Sequence, residues 1–280
     1  AHRDLAIASL EAGKAVMCEK PMANTLEDAR KMVEAAERTK GFLQIGFELR
    51  YSKMYTIIKD WIDAGLLGQV VNCACTYICS EFHGIGSWRN KKETGGSMFG
   101  EKLCHYVDLP RWWVGPEVAV DSVYSACAPN VIPYYEVHDN YNTTYRFANG
   151  AIGNVCFMMA LGAKFKGDPL QNMVSQQHGD GHQLTFLVQG TKGAASTDIF
   201  NRTIKRWKFE NAKEGFVSTW EENLTWEAKD DEHYFHSVPD QTTDIVRRVI
   251  AGEPPKTSAR DSYETMRLVF GAEISADENR

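Results

Sequence analysis

The sequence predicts two fold classes in series. An α/β segment, the remnant of a doubly wound parallel sheet, is followed by an α+β domain whose open sheet is mostly antiparallel with helices on one face. Three observations lead there. Residues 1–48 run helix, strand, helix, strand, the order of parallel strands with covering helices. From Val120 onward, short runs of strand type dominate. Helical patterning returns only near the end of the chain.

Taken in order, Leu5, Ala6, Ala8, Ser9 and Leu10 form a helical stripe that Gly13 stops. Ala15–Cys18 is a short apolar run of buried-strand type, closing on Glu19-Lys20-Pro21. Thr25 caps a helix to about Thr39, with Glu27 and Asp28 in its first turn. Phe42–Phe47 is a second buried strand. No G-x-G-x-x-G follows any strand, and a bare amphipathic helix feeds the first one. The expectation is that the first half of a doubly wound domain, about 80 residues, is absent from the chain. Gly84-Ile85-Gly86 and Gly179-Asp180-Gly181 read as turns rather than phosphate loops.

After Arg50-Tyr51 the character changes. Tyr55–Ala64 is an amphipathic helix stopped by Gly65 and Gly68, Val70–Cys79 is a strand, and a glycine-rich loop leads to a helix over Met98–Trp113. Strands follow at Val120–Ala126, Tyr141–Phe147, Ala151–Met159, Gln183–Gln189, Ala194–Asp198 and Thr203–Phe209, with Asn149-Gly150 as a hairpin signal. Helices over His236–Ala251 and Ala259–Ala276 close the chain. Residues 1–48 are thus expected to belong to one domain and 49–280 to a second, its last helices packing back on the first.

Composition fits a folded protein: 43% of 280 residues are apolar and 24% charged. A net charge of −6 argues against nucleic acid or an anionic membrane as the main partner, since both want a basic face. No apolar stretch approaches the ~20 residues of a membrane span, and no leader pattern opens the chain. Seven cysteines in apolar surroundings read as free thiols of a cytoplasmic protein. The sequons at Asn142, Asn201 and Asn223 are within chance.

Two places could carry chemistry. Lys20 follows a parallel strand, where a side chain points at whatever binds there; lysine suits a substrate hydroxyl and favours its alkoxide. The bland alternative is a surface lysine in an exposed turn. In GGSMFGEKLCHYVD, Gly95–Asp108, a helix from Met98 would place Glu101, His105 and Asp108 on one face at i, i+4 and i+7. His105 could then move a proton, Glu101 could orient it or hold a hydroxyl, and Asp108 would anchor the helix. A solvated helical face is the alternative, weakened by Cys104, Tyr106, Val107, Leu109 and Trp112. Metal readings fare worse: His178 and His182 flank glycines, while Cys73, Cys75 and Cys79 share a strand face that packs as well as it ligates.

Together LAIASLEAGKAVMCEKPMANTLEDARKMVEAAE, GFELRY, DAGLLGQV, SWRNKKETGGSMFGEKLCHYVDLPRWWVG and the ending DIVRRVIAGEPPKTSARDSYETMRLVFGAEISA resemble the glucose–fructose oxidoreductase, inositol dehydrogenase and rhizopine-catabolism (Gfo/Idh/MocA) family. The resemblance implies a Rossmann domain and an oxidoreductase using NAD or NADP on a sugar, glycoside or cyclitol. Lys20, His105 and Glu101 match the family's catalytic positions, the last as Glu where Asp is commoner. Glu19, Lys20, Pro21, Arg50, Trp88 and Arg89 are expected near the cofactor. Lys20, Tyr51, Glu101, Lys102 and His105 are expected near substrate; Lys102-Leu103 replaces the family's usual apolar-Gly pair. A dimer or tetramer through the open sheet is expected. The alternatives are oxidation coupled to elimination, giving glycoside cleavage, and a non-catalytic sugar-binding or association subunit.

Overall fold

The structure is a computed structural model and describes residues 1–81, 83–159, 181–213 and 215–280. His178 and the 179–180 part of one glycine pair lie outside the described residues. Helix α1 (His2–Glu11) leads to β1 (Val16–Cys18), α2 (Leu26–Thr39) and β2 (Leu43–Ile45). β1 and β2 pair in parallel, Val16 opposite Leu43 and Cys18 opposite Ile45. Thr25 caps α2 by accepting from the Asp28 amide at 3.1 Å. That removes one orphan donor of the first turn.

A short 3₁₀ turn, Glu48–Tyr51, joins this unit to α3 (Lys53–Asp63). An eight-stranded sheet follows, built from β3 (Val70–Ile78), β4 (Val120–Ala126), β5 (Asn140–Phe147), β6 (Ile152–Met158), β7 (Gln183–Gly190), β8 (Gly193–Asp198), β9 (Thr203–Ala212) and β10 (Gly215–Thr225). Their order is β10-β9-β8-β7-β3-β6-β5-β4. Only β3 and β6 pair in parallel; the other pairings are antiparallel. β10 extends the sheet beyond the strands expected from sequence. Nearly all its residues are exposed, so no inside–outside alternation marks it.

The β5–β6 hairpin turns through Ala148, Asn149 and Gly150, with Gly150 at φ 88°. Gly150 N–H donates to Phe147 O and Phe147 N–H to Ala151 O. The turn is therefore three residues long with glycine in the left-handed position, rather than the two-residue Asn-Gly turn.

Residues of β3, β5, β6 and β7 alternate between the two faces. Val155, Cys73, Cys75, Phe186 and Val188 are buried on one face, against α3, α4 (Cys104–Val114) and the long helix α6 (Ala259–Glu278). Tyr124, Ile152 and Leu187 stand exposed on the other. α5 (Val238–Ala251) packs beside the 3₁₀ turn. Just before α6 the chain adds to the edge of β2: Ile45 N–H donates to Thr257 O at 3.0 Å and Gln44 bridges Ser258. α6 thus ties the small parallel sheet to the large one. No described helix is long and apolar enough to cross a membrane.

Candidate active site

The chain leaves β1 through Glu19 and a cis Lys20–Pro21 bond. Lys20 is not an exposed turn lysine. Its ammonium reaches 81 residues forward and donates to the Glu101 carbonyl at 2.5 Å, 3.9 Å from the Glu101 carboxylate. Burial disfavours the charge, but Cys104, Glu101, Glu48 and Glu19 outweigh it and hold the lysine above its ordinary value.

The segment over 98–113 is not one α-helix. Phe99–Leu103 forms a π turn before α4 begins. An i→i+5 turn is wider than an α turn and re-aims the side chains on it. Glu101 and His105 accordingly meet different partners. The Glu101 carboxylate lies 3.5 Å from His83 Nε2, 3.6 Å from Arg89 Nε and within reach of Lys20. Burial would raise it, yet His83, Lys102 and Lys20 keep it well below the usual carboxylate range.

His105 is 2% exposed, and among the described residues neither ring nitrogen has a hydrogen-bond partner. The expectation that Glu101 orients it is corrected: the carboxylate that meets it is Glu48, with Oε1 3.5 Å from His105 Nε2. Burial pushes His105 down from 6.5 to about 3, Lys20, His236 and Lys102 adding to the effect and Glu48 opposing it. At neutral pH the imidazole is uncharged. Glu48 is ionised: burial opposes this, but His105 and His236 hold its carboxyl well below the usual range.

The other predicted residues divide into two groups. Arg89 stacks over the half-exposed Trp88 ring at 4.5 Å and faces Glu101, so this pair borders the cluster. Gly95 permits that arrangement, because a Cβ there would sit 2.4 Å from the Arg89 carbonyl oxygen. Lys102 is half-buried, and its charge bears on both Glu101 and His105. Glu19 is pushed up by burial of its carboxyl and then by Glu48, and the Pro21 carbonyl accepts from His2 at 3.0 Å.

Arg50 and Tyr51 turn elsewhere. Arg50 is 2% exposed and gives two 2.7 Å hydrogen bonds to Asp108 and one of 2.6 Å to Asp261. All three of its nitrogens are engaged inside the protein. Tyr51 accepts from Gln44 at 2.8 Å and donates to Asp244 at 3.0 Å, in the seam with α5. Asp108 anchors α4 through Arg50 and Thr265. Sequence reasoning missed Glu48, His83 and His236. A signal existed for Glu48, an acid set between the apolar Phe47 and Leu49 just after a buried strand.

The metal readings find other roles. His182 Nε2 accepts from the Ser80 amide at 2.8 Å, and burial pushes the Cys73 and Cys79 thiols up. His138, Glu273 and Asp277 could present three ligand atoms, but Lys92 already sits 3.0 Å from Asp277 and Tyr141 donates to Glu273. A cavity of 510 Å³ between the start of β4 and α6, lined by Glu117, Asp121, Glu264 and Arg267, holds none of the clustered residues.

A bare, buried, uncharged imidazole beside an ammonium is a place for a hydroxyl group to bind, since both of its nitrogens lack the partner that buried polar atoms require. Lys20 lies beside that place, and the Trp88–Arg89 pair borders Glu101, the residue that Lys20 holds. Residues 55–196 match the family model described as the GFO/IDH/MocA C-terminal domain, and residues 1–47 match that of an oxidoreductase family with an NAD-binding Rossmann fold. The chain is 28% identical over 224 residues to levoglucosan dehydrogenase of Pseudarthrobacter phenanthrenivorans, covering 71% of this chain and 52% of that protein. It is 34% identical over 125 residues to inositol 2-dehydrogenase of Salmonella typhimurium, covering 44% and 35% respectively. The chain therefore spans about half the length, or less, of these relatives. In fold it is similar to an oxidoreductase domain protein from Kribbella flavida (TM-score 0.78, 22% identity, 100% of this chain and 76% of that one). It is similar also to levoglucosan dehydrogenase in complex with NADH and L-sorbose (TM-score 0.75, 22% identity, 99% and 75%).

Proposed function

Because the chain belongs to the Gfo/Idh/MocA oxidoreductase family, we propose that it transfers hydride between a nicotinamide dinucleotide and a secondary hydroxyl of a sugar, glycoside or cyclitol. The observation that carries this reading is the buried His105 ring, whose nitrogens have no partner among the described residues and which feels the charge of Lys20, itself joined to Glu101. Levoglucosan and inositol dehydrogenases among the relatives support this substrate class.

The nicotinamide ring, when bound, supplies the hydride acceptor. The turn Glu19–Pro21 and the Trp88–Arg89 pair would hold it. Lys20 donates to the reacting oxygen and stabilises its developing negative charge. His105, uncharged at neutral pH, takes the hydroxyl proton. Glu101, kept ionised by His83, Lys102 and Lys20, binds a neighbouring hydroxyl and holds Lys20 in place. Lys102 lies close enough in charge to select among substrates. Residues 1–48 serve the dinucleotide and 49–280 the substrate.

The exposed sheet face is proposed to seat a second copy. Tyr124, Thr144, Asn154, Leu187 and Ser196 line it in register across five strands. The test of the function is absorbance in the reduced-nicotinamide band when sugars and cyclitols are added with NAD or NADP to the full-length protein. A rise with at least one of them is expected; none with any polyol, despite measurable dinucleotide binding, leaves a sugar-binding subunit.

A further inference from the structure

Two imidazoles face one carboxylate oxygen at the rim of the cluster. Glu48, 8% exposed, opens the 3₁₀ turn after β2 between two fully buried apolar residues. His236 Nδ1 donates to Glu48 Oε1 at 2.7 Å, and His105 Nε2 stands 3.5 Å from the same oxygen. His236 adopts φ 56°, a conformation disfavoured for any residue with a Cβ. The rings of His105 and His236 meet edge to face with centroids 6.1 Å apart.

We propose that Glu48, held by His236, is the positioning residue for His105, fixing which ring nitrogen is open to substrate and facing the charge that the ring acquires. The inference rests on the reading of His105 as the proton acceptor. An ionised carboxylate only accepts hydrogen bonds, so the His105 nitrogen facing it keeps its hydrogen and Nδ1 is left with its lone pair. When the substrate O–H bond breaks, the proton forms an N–H bond at Nδ1 and the imidazole becomes a cation. Around it stand Lys20 from the turn after β1, Lys102 from the π turn and His236 from the start of α5, all of which oppose that cation. Glu48 opposes them. Glu101, which the helical spacing would assign to this task, is taken up by Lys20, His83 and Arg89.

The tautomer of His105 can be read by long-range proton–nitrogen NMR on full-length protein carrying ¹⁵N-histidine, without cofactor or substrate. Its signals are those missing from His105→Gln. The expected result is one tautomer, protonated at Nε2, at pH 7. In Glu48→Gln that tautomer should become mixed or reverse, because the amide can donate to Nε2, and kcat should fall by about tenfold or more while the KM for dinucleotide stays within about threefold. Glu48→Asp should keep the tautomer and recover part of the rate. An unchanged tautomer, or an unchanged kcat, in folded Glu48→Gln overturns the proposal. If the parent oxidises no polyol, the reading of the function fails, and the tautomer measurement still decides whether Glu48 sets the ring.

Discussion

Lys20 Nζ donates to the Glu101 carbonyl oxygen across 81 residues of chain, joining the carboxyl end of β1 to the π turn before α4. A lysine that joins two elements and has the proposed role of polarising substrate should show two effects when replaced. Lys20→Met should reduce kcat by about 10² or more, and it should also cost about 1.5–3 kcal/mol of stability through the lost charged hydrogen bond. Steady-state rates and urea unfolding read the two separately. Near-parental turnover would remove Lys20 from the chemistry.

Arg50 is a structural residue on the geometry, joining the 3₁₀ turn, α4 and α6 through Asp108 and Asp261. Arg50→Met leaves Asp108 buried without its counter-ion, which costs about 3–5 kcal/mol. Urea unfolding and dinucleotide titration should show a destabilised protein with near-normal affinity. Lost affinity at unchanged stability would return Arg50 to the cofactor.

Acid should destabilise the protein in a window set by His105. Its folded value, about 3, lies below the 6.5 of an ordinary histidine, so between these pH values the unfolded chain binds a proton that the folded protein does not. Stability therefore rises with pH across the window and is lost as pH falls through it. Glu48, depressed in the fold, acts in the same direction at lower pH. Urea midpoints from pH 7 to 4 should fall more steeply for the parent than for His105→Gln; parallel curves would contradict the burial argument.

Gly95 is a steric requirement, since a methyl there meets the Arg89 backbone at 2.4 Å. Gly95→Ala should push Arg89 away from Glu101, raising the KM for substrate more than it lowers kcat. Equal kinetics would mean that Arg89 does not border the bound substrate.

Leu187 is 51% exposed and Tyr124 56% exposed on the uncovered sheet face. Leu187→Asp should lower the molar mass seen by light scattering toward that of one chain. A parent that already scatters as a monomer would remove the proposed assembly.

Much of this was legible in sequence because local signals and burial agree. The Thr25 cap follows from its own hydroxyl. The buried run of β2 and the strand alternation of β5 and β7 follow from side chains that meet the core. β1 departs from the buried run expected, with Met17 38% exposed. That Lys20 and Glu101 belong to one candidate site was legible in sequence, and the partners of each residue were less so. Helical spacing paired Glu101 with His105, whereas contacts between residues far apart in the chain pair His105 with Glu48 and Glu101 with Lys20 and His83. The partners of Arg50 and Tyr51 were hidden for the same reason: Asp261 and Asp244 lie some two hundred residues away.

The π turn at Phe99–Leu103 makes chain length itself a determinant of what this fold can recognise. Removing one residue from it would restore regular α geometry and change where the side chains on the turn point relative to α4. Glu101 would swing off Lys20 while His105, on the far side of the turn, stayed with Glu48. A single-codon deletion would thus exchange the Glu101 half of the candidate site for another arrangement and leave the His105–Glu48 half untouched.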